Sequence, residues 1–457
     1  MKSHKVKVWA IKTNVSATTK RKSYTVRWVV AGEEHSQTFG SSALADNYRT
    51  ELKKAVNAGE AFDAETGLPD SMAPKNIGMA CLELVQKYVV MKWPEAAPKS
   101  RRGMIESLVA ATIALVPEDA KYSDLPTLRT ALRNLLVPMA TGEPTPDEAD
   151  ALRWLKDSSA PLEALTDTQM IRRVLDALSR LQDGTLAAAA TRRRKRAIFY
   201  NLVEYGIELG LLGHNPIDRV RVRSRTKKVV EEVDRRVVAN PKQVRAILSA
   251  LCRVGKRNRN RGLYLRAFFA CLYFAALRPG EALGLRQEDC HLPKAGFGRL
   301  TVDVSRPEAG KRWTDTGEAH DERGLKHRPE AETRPVPIPE ELVHILRTHI
   351  RRFGVAPDGR LFVSAKGNPI GASSYARVWG DARKLALPGI QARTVLVARP
   401  YDLRHGGVSL WLNAGVPPTE VAARAGHSVE VLLKVYAKCI DGDEAIFNER
   451  IAAALRG

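Results

Sequence analysis

The sequence predicts a mainly helical protein with small β-sheets, an α+β fold divided into several domains. The chain has 457 residues, which is long for one domain and usual for two or three. Hydrophobic residues make up 44% of it, enough for sizeable buried cores. Two-residue alternation of apolar side chains, the pattern of strands, is confined to short stretches, whereas apolar residues at three- and four-residue spacing, the pattern of helices, are widespread.

The net charge indicates the class of partner. Lys and Arg number 73 and Asp and Glu number 51, which gives a formal net charge of +22. Such an excess favours an anionic partner, because basic side chains gain affinity by displacing counterions from phosphates. The sequence therefore predicts a nucleic-acid-binding protein, and a protein that merely has a high isoelectric point is the alternative.

The cysteines and the N-terminal segment indicate the compartment. No two cysteines form a CxxC pair, and none has a histidine at metal-ligand spacing; they are Cys81, Cys252, Cys271, Cys290 and Cys439. This scattered, odd set predicts a reducing cytosol without disulfides or structural zinc. The N-terminal segment has no apolar signal core and no run approaches membrane-spanning length, so we expect a soluble cytoplasmic protein without membrane contact.

Residues 1–62 are predicted to form a small module in which β-strands precede a helix. Over residues 24–30 apolar and polar side chains alternate, as in a strand with one buried face. Ser41 or Ser42 then provides an N-cap for a helix with one apolar side. The lysines and arginines of the strands fit either a sheet that lies in a DNA groove or an ordinary solvated face. Both interpretations stay open from this module alone.

Residues 77–218 carry a helical pattern throughout, and the turn-rich residues 64–76 predict a linker before them. The basic run at 191–196 begins a helix that Pro216 is expected to end. The predicted buried stripe of that helix is Ile198, Leu202, Tyr205 and Leu209. Basic residues at a helix start oppose the helix dipole, so a bound phosphate would compensate them. A solvated charge run is the alternative.

Residues 219–240 are dense in charge and show no helical face, which predicts an extended interdomain linker. Residues 241–457 then form a second globular domain. In its segment at 273–286, Arg278 precedes Pro279, a residue suited to a first helical turn. Its guanidinium is predicted either to pair with a carboxylate such as Glu281 or to be held ready for an anionic ligand.

Three further segments of this domain carry polar residues of interest, and the first two are the ribbon around Lys326 and the helix start at Asp402. Apolar alternation near residues 300–304 and 336–338 predicts a β-ribbon with Lys326 on or near its turn, where a lysine is usually just solvated. Asp402 is a predicted helix cap with Arg404 in the first turn after it, and a buried structural arginine is the alternative.

The last segment, residues 424–439, is predicted to contain a helix–corner–helix. Gly426 ends one helix, His427 occupies the corner and Ser428 caps the next helix. In that second helix Leu432 and Leu433 are expected to pack inward, with Tyr436 one turn after Leu432. A helical tyrosine is normally a core residue with a satisfied hydroxyl, so periodicity alone assigns Tyr436 no chemistry.

The order of these residues resembles the catalytic domain of the tyrosine recombinases, the phage integrase family. The matching segments are ALRPGEALGLR, YDLRHGGVSLWLNAGV, AGHS and KVYAKC, with a nine-residue step from His427 to Tyr436. The resemblance covers roughly residues 240 to 440. Residues 77–218 are similar in architecture to a helical core-binding domain, and residues 1–62 resemble an arm-type DNA-binding module. The chain thus looks like the integrase of an actinobacterial-type phage or mobile element.

This resemblance implies an enzyme in which Tyr436 attacks a DNA phosphodiester and forms a 3′-phosphotyrosyl link. It implies that Arg278, Arg404 and His427 stabilise the charge on the non-bridging oxygens. Lys326 would give a proton to the leaving 5′-oxygen. No metal or cofactor is then required, and no carboxylate cluster of the kind that Mg²⁺ uses is apparent in the sequence.

Tyr401 departs from the usual family pattern. It stands where most members have the first histidine of the motif, and the resemblance implies a catalytic role for it, as a proton relay or as a hydrogen-bond donor to the phosphate. A tyrosine at this place occurs in part of the family, so the departure does not indicate inactivation. His405 is adjacent, and we expect its role to be minor.

The resemblance also implies partners. These are double-stranded DNA attachment sites, a homotetramer that exchanges strands through a Holliday junction, and an excisionase or DNA-bending accessory protein, all at the nucleoid in the cytoplasm. The apolar residues of the tail at 443–457 are expected to dock on a neighbouring protomer or to pack in cis: Ile446, Ile451 and Leu455.

Three other functions are consistent with parts of this pattern. An Xer-like chromosome-dimer resolvase shares the chemistry, but it usually lacks a module such as residues 1–62. A catalytically inactive DNA-binding descendant would have lost activity through Tyr401. A type IB topoisomerase also uses a tyrosine, but a separate arm module and tail helix fit it poorly.

Overall fold

The computed structural model describes two compact units, Met1–Arg223 and Ser224–Gly457. The described residues are 2–15, 22–69, 71–72, 78–117, 120–138, 142–220, 233–255, 260–325, 332–364, 367–436 and 444–456, with the main chain alone at 444–447 and 450. Each unit combines helices with small antiparallel sheets. The prediction of a mainly helical α+β fold is therefore confirmed. No helix in the described ranges is both long and apolar enough to cross a membrane.

The first unit begins with a small sheet covered by one helix. Its elements are β1 (Lys2–Ser3), β2 (Val6–Val8), β3 (Lys12–Val15), β4 (Lys22–Val30), β5 (Glu33–Phe39), α1 (Ser42–Asn57) and β6 (Phe62–Asp63). Strand β4 pairs antiparallel with β2 and β3 along one edge and with β5 along the other. Its alternating residues Val26, Trp28 and Val30 are buried against α1, as the two-residue period predicts. Ser41 caps α1 through a hydrogen bond from the amide of Leu44.

The rest of the first unit is helical, as predicted. Its helices are α2 (Cys81–Lys92), α3 (Pro98–Leu115), α4 (Leu125–Leu136), α5 (Pro146–Asp157), α6 (Thr168–Ser179) and α7 (Ala189–Glu208). Helix α3 packs against α2, α4, α6 and α7 and so occupies the middle of this group. Proline at the first turn of α3, α4 and α5 fits these helix starts, because a first-turn amide has no partner within the helix.

One sequence prediction for α7 is wrong in part and another is wrong. Leu202 is buried as predicted and Leu209 is 44% exposed, and the buried stripe of α7 is Phe199, Leu202, Val203 and Gly206. The helix also ends at Glu208, well before Pro216, because Gly210 adopts a left-handed φ of 71° that a helix cannot continue through. The basic run at 191–196 does lie in the first turns of this helix.

The second unit surrounds a central apolar helix. Its helices are α8 (Pro241–Ala250), α9 (Asn260–Phe274), α10 (Pro279–Gly284), α11 (Glu340–Phe353), α12 (Ala372–Ala386), α13 (Gly389–Ala392), α14 (Asp402–Asn413), α15 (Pro418–Ala425), α16 (Val429–Tyr436) and α17 (Glu444–Leu455). Helix α9 packs against α8, α10, α11, α12 and α14 and is buried on every side from Ala267 to Phe274. Gly407 of α14 permits the close contact between α14 and α9, since a Cβ at this position would lie 2.1 Å from the carbonyl oxygen of Tyr273 in α9.

A small sheet flanks this helical core. Its strands are β7 (Cys290–His291), β8 (Gly298–Val302), β9 (Val304–Ser305), β10 (Arg323–Gly324) and β11 (Arg334–Ile338). Strand β8 lies between β7 and β11, with Leu300 opposite Val336, and β9 pairs with β10. These pairings are the predicted β-ribbon. Lys326, the predicted ribbon lysine, lies outside the described residues.

Three details of the helices near the C-terminus differ from, or qualify, the sequence predictions. Asp402 is the first residue of α14 and its carboxylate accepts a hydrogen bond from the Arg399 amide, so it does not cap the helix as predicted. Leu433 is 42% exposed, so of the two leucines predicted to pack α16 only Leu432 is buried. In α17, Ile451 and Leu455 are exposed, and the side chain of Ile446 lies outside the described residues.

Candidate active site

Arg278 and Arg404 reach the same turn of the main chain from two different helices. Arg278 immediately precedes α10, and its Nη2 donates a hydrogen bond of 2.8 Å to the carbonyl oxygen of Gly426. Arg404 lies in the first turn of α14 and donates to the carbonyl oxygens of Ala276 and Ala425. Arg404 is completely buried, whereas the Arg278 side chain keeps 24% of its surface exposed. The two guanidiniums therefore meet at the α15–α16 corner, one inside and one at the surface.

The buried carboxylate of Glu281 balances part of this positive charge. Its Oε1 accepts from Nη1 of Arg278 at 2.7 Å, and its Oε2 accepts from the Arg278 amide at 2.8 Å. Arg334 from β11 binds both carboxylate oxygens. Burial alone would raise the pKa of Glu281, but the positive charges of Arg334, Arg404 and Arg278 outweigh it and lower the pKa to about 2. The single negative charge of Glu281 thus faces three positively charged guanidinium groups, which leaves the cluster with excess positive charge.

The corner itself depends on Gly426. This residue ends α15 in the left-handed conformation, with φ 66° and ψ 50°, as predicted from the sequence. A Cβ at this position would lie 2.2 Å from Nη1 of Arg334 and 3.2 Å from Nη1 of Arg278. Glycine is therefore required both by the backbone conformation and by the space that the two arginines occupy. Ser428 then caps α16 through a hydrogen bond from the Val431 amide, again as predicted.

His427 follows Gly426 and contacts the buried arginine. Its Nε2 accepts a hydrogen bond from Nη2 of Arg404, which puts the proton of the neutral ring on Nδ1. Burial lowers the pKa of His427 to about 3, with the charges of Arg404, Arg278 and Arg334 acting in the same direction. The ring is therefore neutral near pH 7. Its Nδ1 is buried and has no hydrogen-bond partner among the described residues, and the same holds for Nε of Arg404.

Tyr436, the last residue of α16, lies beside this cluster. It is fully buried, and its ring centroid is 6.2 Å from that of His427. Its hydroxyl lies 2.9 Å from Nδ1 of His405, one residue beyond Arg404 on α14. The hydroxyl therefore contacts an imidazole that the sequence analysis expected to have only a minor role.

Tyr401 lies at the edge of the same group. It is 36% exposed, and its ring packs edge-on against that of His405, with centroids 5.2 Å apart. The structure thus brings together five of the six predicted site residues, Arg278, Arg404, His427, Tyr401 and Tyr436. The sixth, Lys326, is outside the described residues.

Arg334 and His405 are the residues of this cluster that the sequence analysis did not select. Arg334 is 2% exposed and shares the inward face of β11 with Val336 and Ile338. The two-residue period that predicted the strand also places Arg334 on its buried side, and a buried arginine needs a carboxylate partner. That signal was available in the sequence. The contact of His405 with Tyr436 joins two helices, and no pattern in either segment indicates it.

Comparisons with known proteins agree with this arrangement. Residues 237–441 match the model of the phage integrase family. The tyrosine recombinase XerC of Methylobacterium sp. (strain 4-46) is 30% identical over 175 residues, or 38% of this chain, and XerC of Nitrobacter winogradskyi is 26% identical over 173 residues, or 37% of this chain. The matched region spans 44% of the length of each of these two relatives.

The fold is also similar to a solved structure. The integrase of the Tn1549 transposon, solved in complex with transposon right end DNA, aligns with a TM-score of 0.50 and 17% identity. The alignment covers 82% of this chain and all of that one. The family model and the curated relatives point to the same family, and the solved structure shares the fold. Over residues 237–441 the chain is therefore similar to the phage integrase family, the tyrosine recombinases.

Proposed function

We propose that this protein is a site-specific DNA recombinase that integrates a mobile element, and also excises it, through a 3′-phosphotyrosyl intermediate. The observation that carries the proposal is a pair of buried donors without partners beside a buried tyrosine. Nε of Arg404 and Nδ1 of His427 find no acceptor among the described residues, although buried donors are nearly always bonded. An anion bound at this corner would satisfy both, and the excess of guanidinium groups favours an anion.

A scissile phosphodiester is the anion that fits this site. Its non-bridging oxygens gain negative charge when a nucleophile adds to phosphorus, and donors fixed in advance stabilise that charge. Arg404 is fixed by two main-chain carbonyls, and His427 is fixed by its hydrogen bond from Arg404. Arg278 is held by Glu281 but stays partly exposed, so it can contact DNA from the surface side. Tyr436 supplies the nucleophilic oxygen.

The remaining steps complete a reversible exchange. Lys326 is proposed to donate a proton to the leaving 5′-oxygen, and the Tyr401 hydroxyl to donate a hydrogen bond to the phosphate. The product is one ester in place of another, so little free energy is lost. A 5′-hydroxyl from a second duplex can then attack the phosphotyrosyl link and join strands without ATP.

The assembly proposed for this reaction is a homotetramer on two double-stranded attachment sites, passing through a Holliday junction. Residues 77–218 would bind the core sequence and residues 1–62 the arm sequence, with 219–240 linking them to the catalytic domain at 241–457. The exposed apolar residues Ile451 and Leu455 of α17 support a docking role for the tail. An excisionase or DNA-bending protein would set direction, and the site of action would be the nucleoid in the cytoplasm.

Trapping the covalent intermediate tests this proposal. A core duplex would first be enriched from a random-sequence pool by binding to full-length Tyr436→Phe protein, and then nicked at successive positions so that a cleaved strand diffuses away. We expect the wild type to form a covalent protein–DNA band on a denaturing gel, in the presence of EDTA, and Tyr436→Phe to form none. Binding of the duplex by wild type without any covalent band would favour the inactive DNA-binding descendant.

A chromosome-dimer resolvase is the second candidate, because both curated relatives reported above are named XerC. A resolvase would use the same chemistry as an integrase but would act on different DNA sites. Footprinting of the full chain and of a chain lacking residues 1–62 on the same enriched DNA separates the two candidates. Protection of additional sites by residues 1–62 supports the integrase, and identical footprints support the resolvase.

A further inference from the structure

The proposed reaction must remove a proton from the Tyr436 hydroxyl, because a neutral phenol is a weak nucleophile. Two imidazoles lie near this residue, those of His427 and His405. Nε2 of His427 already accepts a hydrogen bond from Arg404, and its Nδ1 then carries the ring proton. His427 is therefore a donor in this arrangement and has no free lone pair for the phenol.

His405 has the geometry of a proton acceptor. Its Nδ1 lies 2.9 Å from the Tyr436 oxygen, within the reach that a general base needs. In the tautomer with the proton on Nε2, the Nδ1 lone pair accepts the phenol proton. The edge-on contact with Tyr401 limits the movement of the ring.

The surroundings of His405 keep it neutral before the reaction. Burial lowers the pKa of His405 to about 4, while the nearby carboxylate of Asp402 acts to raise it and the charges of Arg404 and Arg399 act to lower it. The groups that contact it from other positions are the phenol rings of Tyr401 and, from α16, Tyr436. A phosphodiester bound next to Tyr436 adds negative charge, which favours the imidazolium that forms during attack.

We infer that His405 is a further catalytic residue, the general base that takes the proton of Tyr436 as its oxygen attacks the phosphodiester. The oxygen–phosphorus bond forms as the proton passes to Nδ1, and the bond to the 5′-oxygen breaks as that oxygen takes a proton from the general acid. In the rejoining step, the imidazolium returns its proton to the departing phenolate. This inference rests on the proposed function.

The test measures the rate of covalent complex formation with His405→Asn in the full-length protein on the enriched, nicked core duplex. Asparagine retains hydrogen-bonding capacity and similar size but cannot take a proton. We expect DNA binding and thermal unfolding close to those of the wild type, and a cleavage rate at pH 7 lower by about 10²- to 10⁴-fold. His344→Asn, on the exposed side of α11, is the matched control and should cleave at the wild-type rate.

Two further readouts separate a base from a merely structural residue. The cleavage rate of His405→Asn should rise about tenfold per pH unit in the alkaline range, because only the ionised phenol then reacts, whereas the wild-type rate should change little. A substrate with sulfur in place of the 5′-bridging oxygen, which leaves without a proton, should not restore the rate of the variant. That substitution rescues the loss of a general acid and not of a base.

The outcomes are distinct. A His405→Asn rate within threefold of the wild type, an unchanged pH profile, or full rescue by the sulfur substrate would overturn the inference and leave the proposed function intact. If His405→Asn unfolds or loses DNA binding, His405→Gln repeats the measurement, and loss of fold in both assigns His405 a structural role and overturns the inference. If the wild type itself never forms the covalent band, the proposed function fails and the inference with it.

Discussion

Glu281 and Arg334, 53 positions apart in the sequence, form a two-oxygen ion pair in the interior of the second unit. Nη2 of Arg334 lies 2.7 Å from Oε2, and Nη1 lies 3.2 Å from Oε1. Both residues are 2% exposed. The same carboxylate holds Arg278, so a residue on strand β11 helps to position an arginine at the start of α10. A buried ion pair therefore supports Arg278, one of the arginines of the proposed phosphate site.

Removal of Arg334 should be costly. Arg334→Met leaves the Glu281 carboxylate buried with one partner fewer, and loss of one member of a buried ion pair destabilises a protein by about 3–5 kcal/mol. Urea unfolding of the full chain measures the change. Arg245→Met is the control, because the Arg245–Glu341 pair is exposed and such pairs contribute about 0–1 kcal/mol. Equal losses in the two variants would contradict the role given to Arg334.

A side chain at position 426 should disturb both the backbone and the arginines. Gly426→Ala introduces a methyl group into the space of Arg334 and Arg278 at a left-handed φ. Gly210→Ala, just after α7, has nearly the same φ, 71°, also at a helix end, with nothing within 4 Å of the new Cβ, so it isolates the backbone cost of about 1 kcal/mol. We expect Gly426→Ala to lose at least about twice that stability and most covalent-complex formation. Similar losses in unfolding experiments would show that crowding at the corner is unimportant.

Acid should weaken the second unit through two groups of the site. The pKa of Glu281 is lowered from 4.5 to about 2 in the folded state, so its stabilising contribution is present above pH 4.5 and lost as the pH falls towards 2. The pKa of His427 is lowered from 6.5 to about 3, so below pH 6.5 the unfolded chain takes up the proton first and stability falls.

Unfolding by urea at a series of pH values between 7 and 3 tests both contributions. We expect the free energy of unfolding of the wild type to fall across this range. His427→Gln should show a shallower fall between pH 6.5 and 4.5, where that histidine titrates in the unfolded chain alone. Glu281→Gln should be less stable at pH 7 and should flatten the curve below pH 4.5. Parallel curves for all three proteins would refute the linkage.

The hydroxyl of Tyr401 should contribute to cleavage without determining the fold. Tyr401→Phe retains the ring that packs on His405 and removes the proposed hydrogen bond to the phosphate. A hydrogen bond to a charged group contributes about 1.5–3 kcal/mol, which corresponds to a cleavage rate lower by about 10- to 150-fold. Single-turnover cleavage of the nicked core duplex gives this rate, with thermal unfolding as the control for stability. A rate equal to the wild type would remove Tyr401 from the site.

Sequence patterns predicted much of this architecture because the relevant signals are local. The strand period of β4, the cap at Ser41, the left-handed Gly426 and the cap at Ser428 each depend on a few neighbouring residues. The candidate site residues came from the family resemblance, since their periodicity alone is that of ordinary core positions.

The parts that were missed depend on contacts between distant segments. The buried stripe of α7 was predicted incorrectly in part, because the sequence does not reveal which of its apolar residues face α3. Aspartate is a residue type that often caps helices, but the carboxylate of Asp402 accepts hydrogen bonds from Arg399 instead. The link between His405 and Tyr436 spans 31 positions and two helices, and it exists only once α14 and α16 are in place.

The two arginines of the proposed site are held largely by main-chain oxygens, those of Ala276, Ala425 and Gly426. A carbonyl oxygen persists whatever side chain the residue carries. Replacement of Ala425 by another small residue therefore leaves the acceptor for Arg404 in position, provided that the path of the backbone is retained. Apart from Gly426, evolutionary drift in the surrounding side chains can thus proceed far without displacing the arginines, because the path of the backbone at one corner is what selection must preserve.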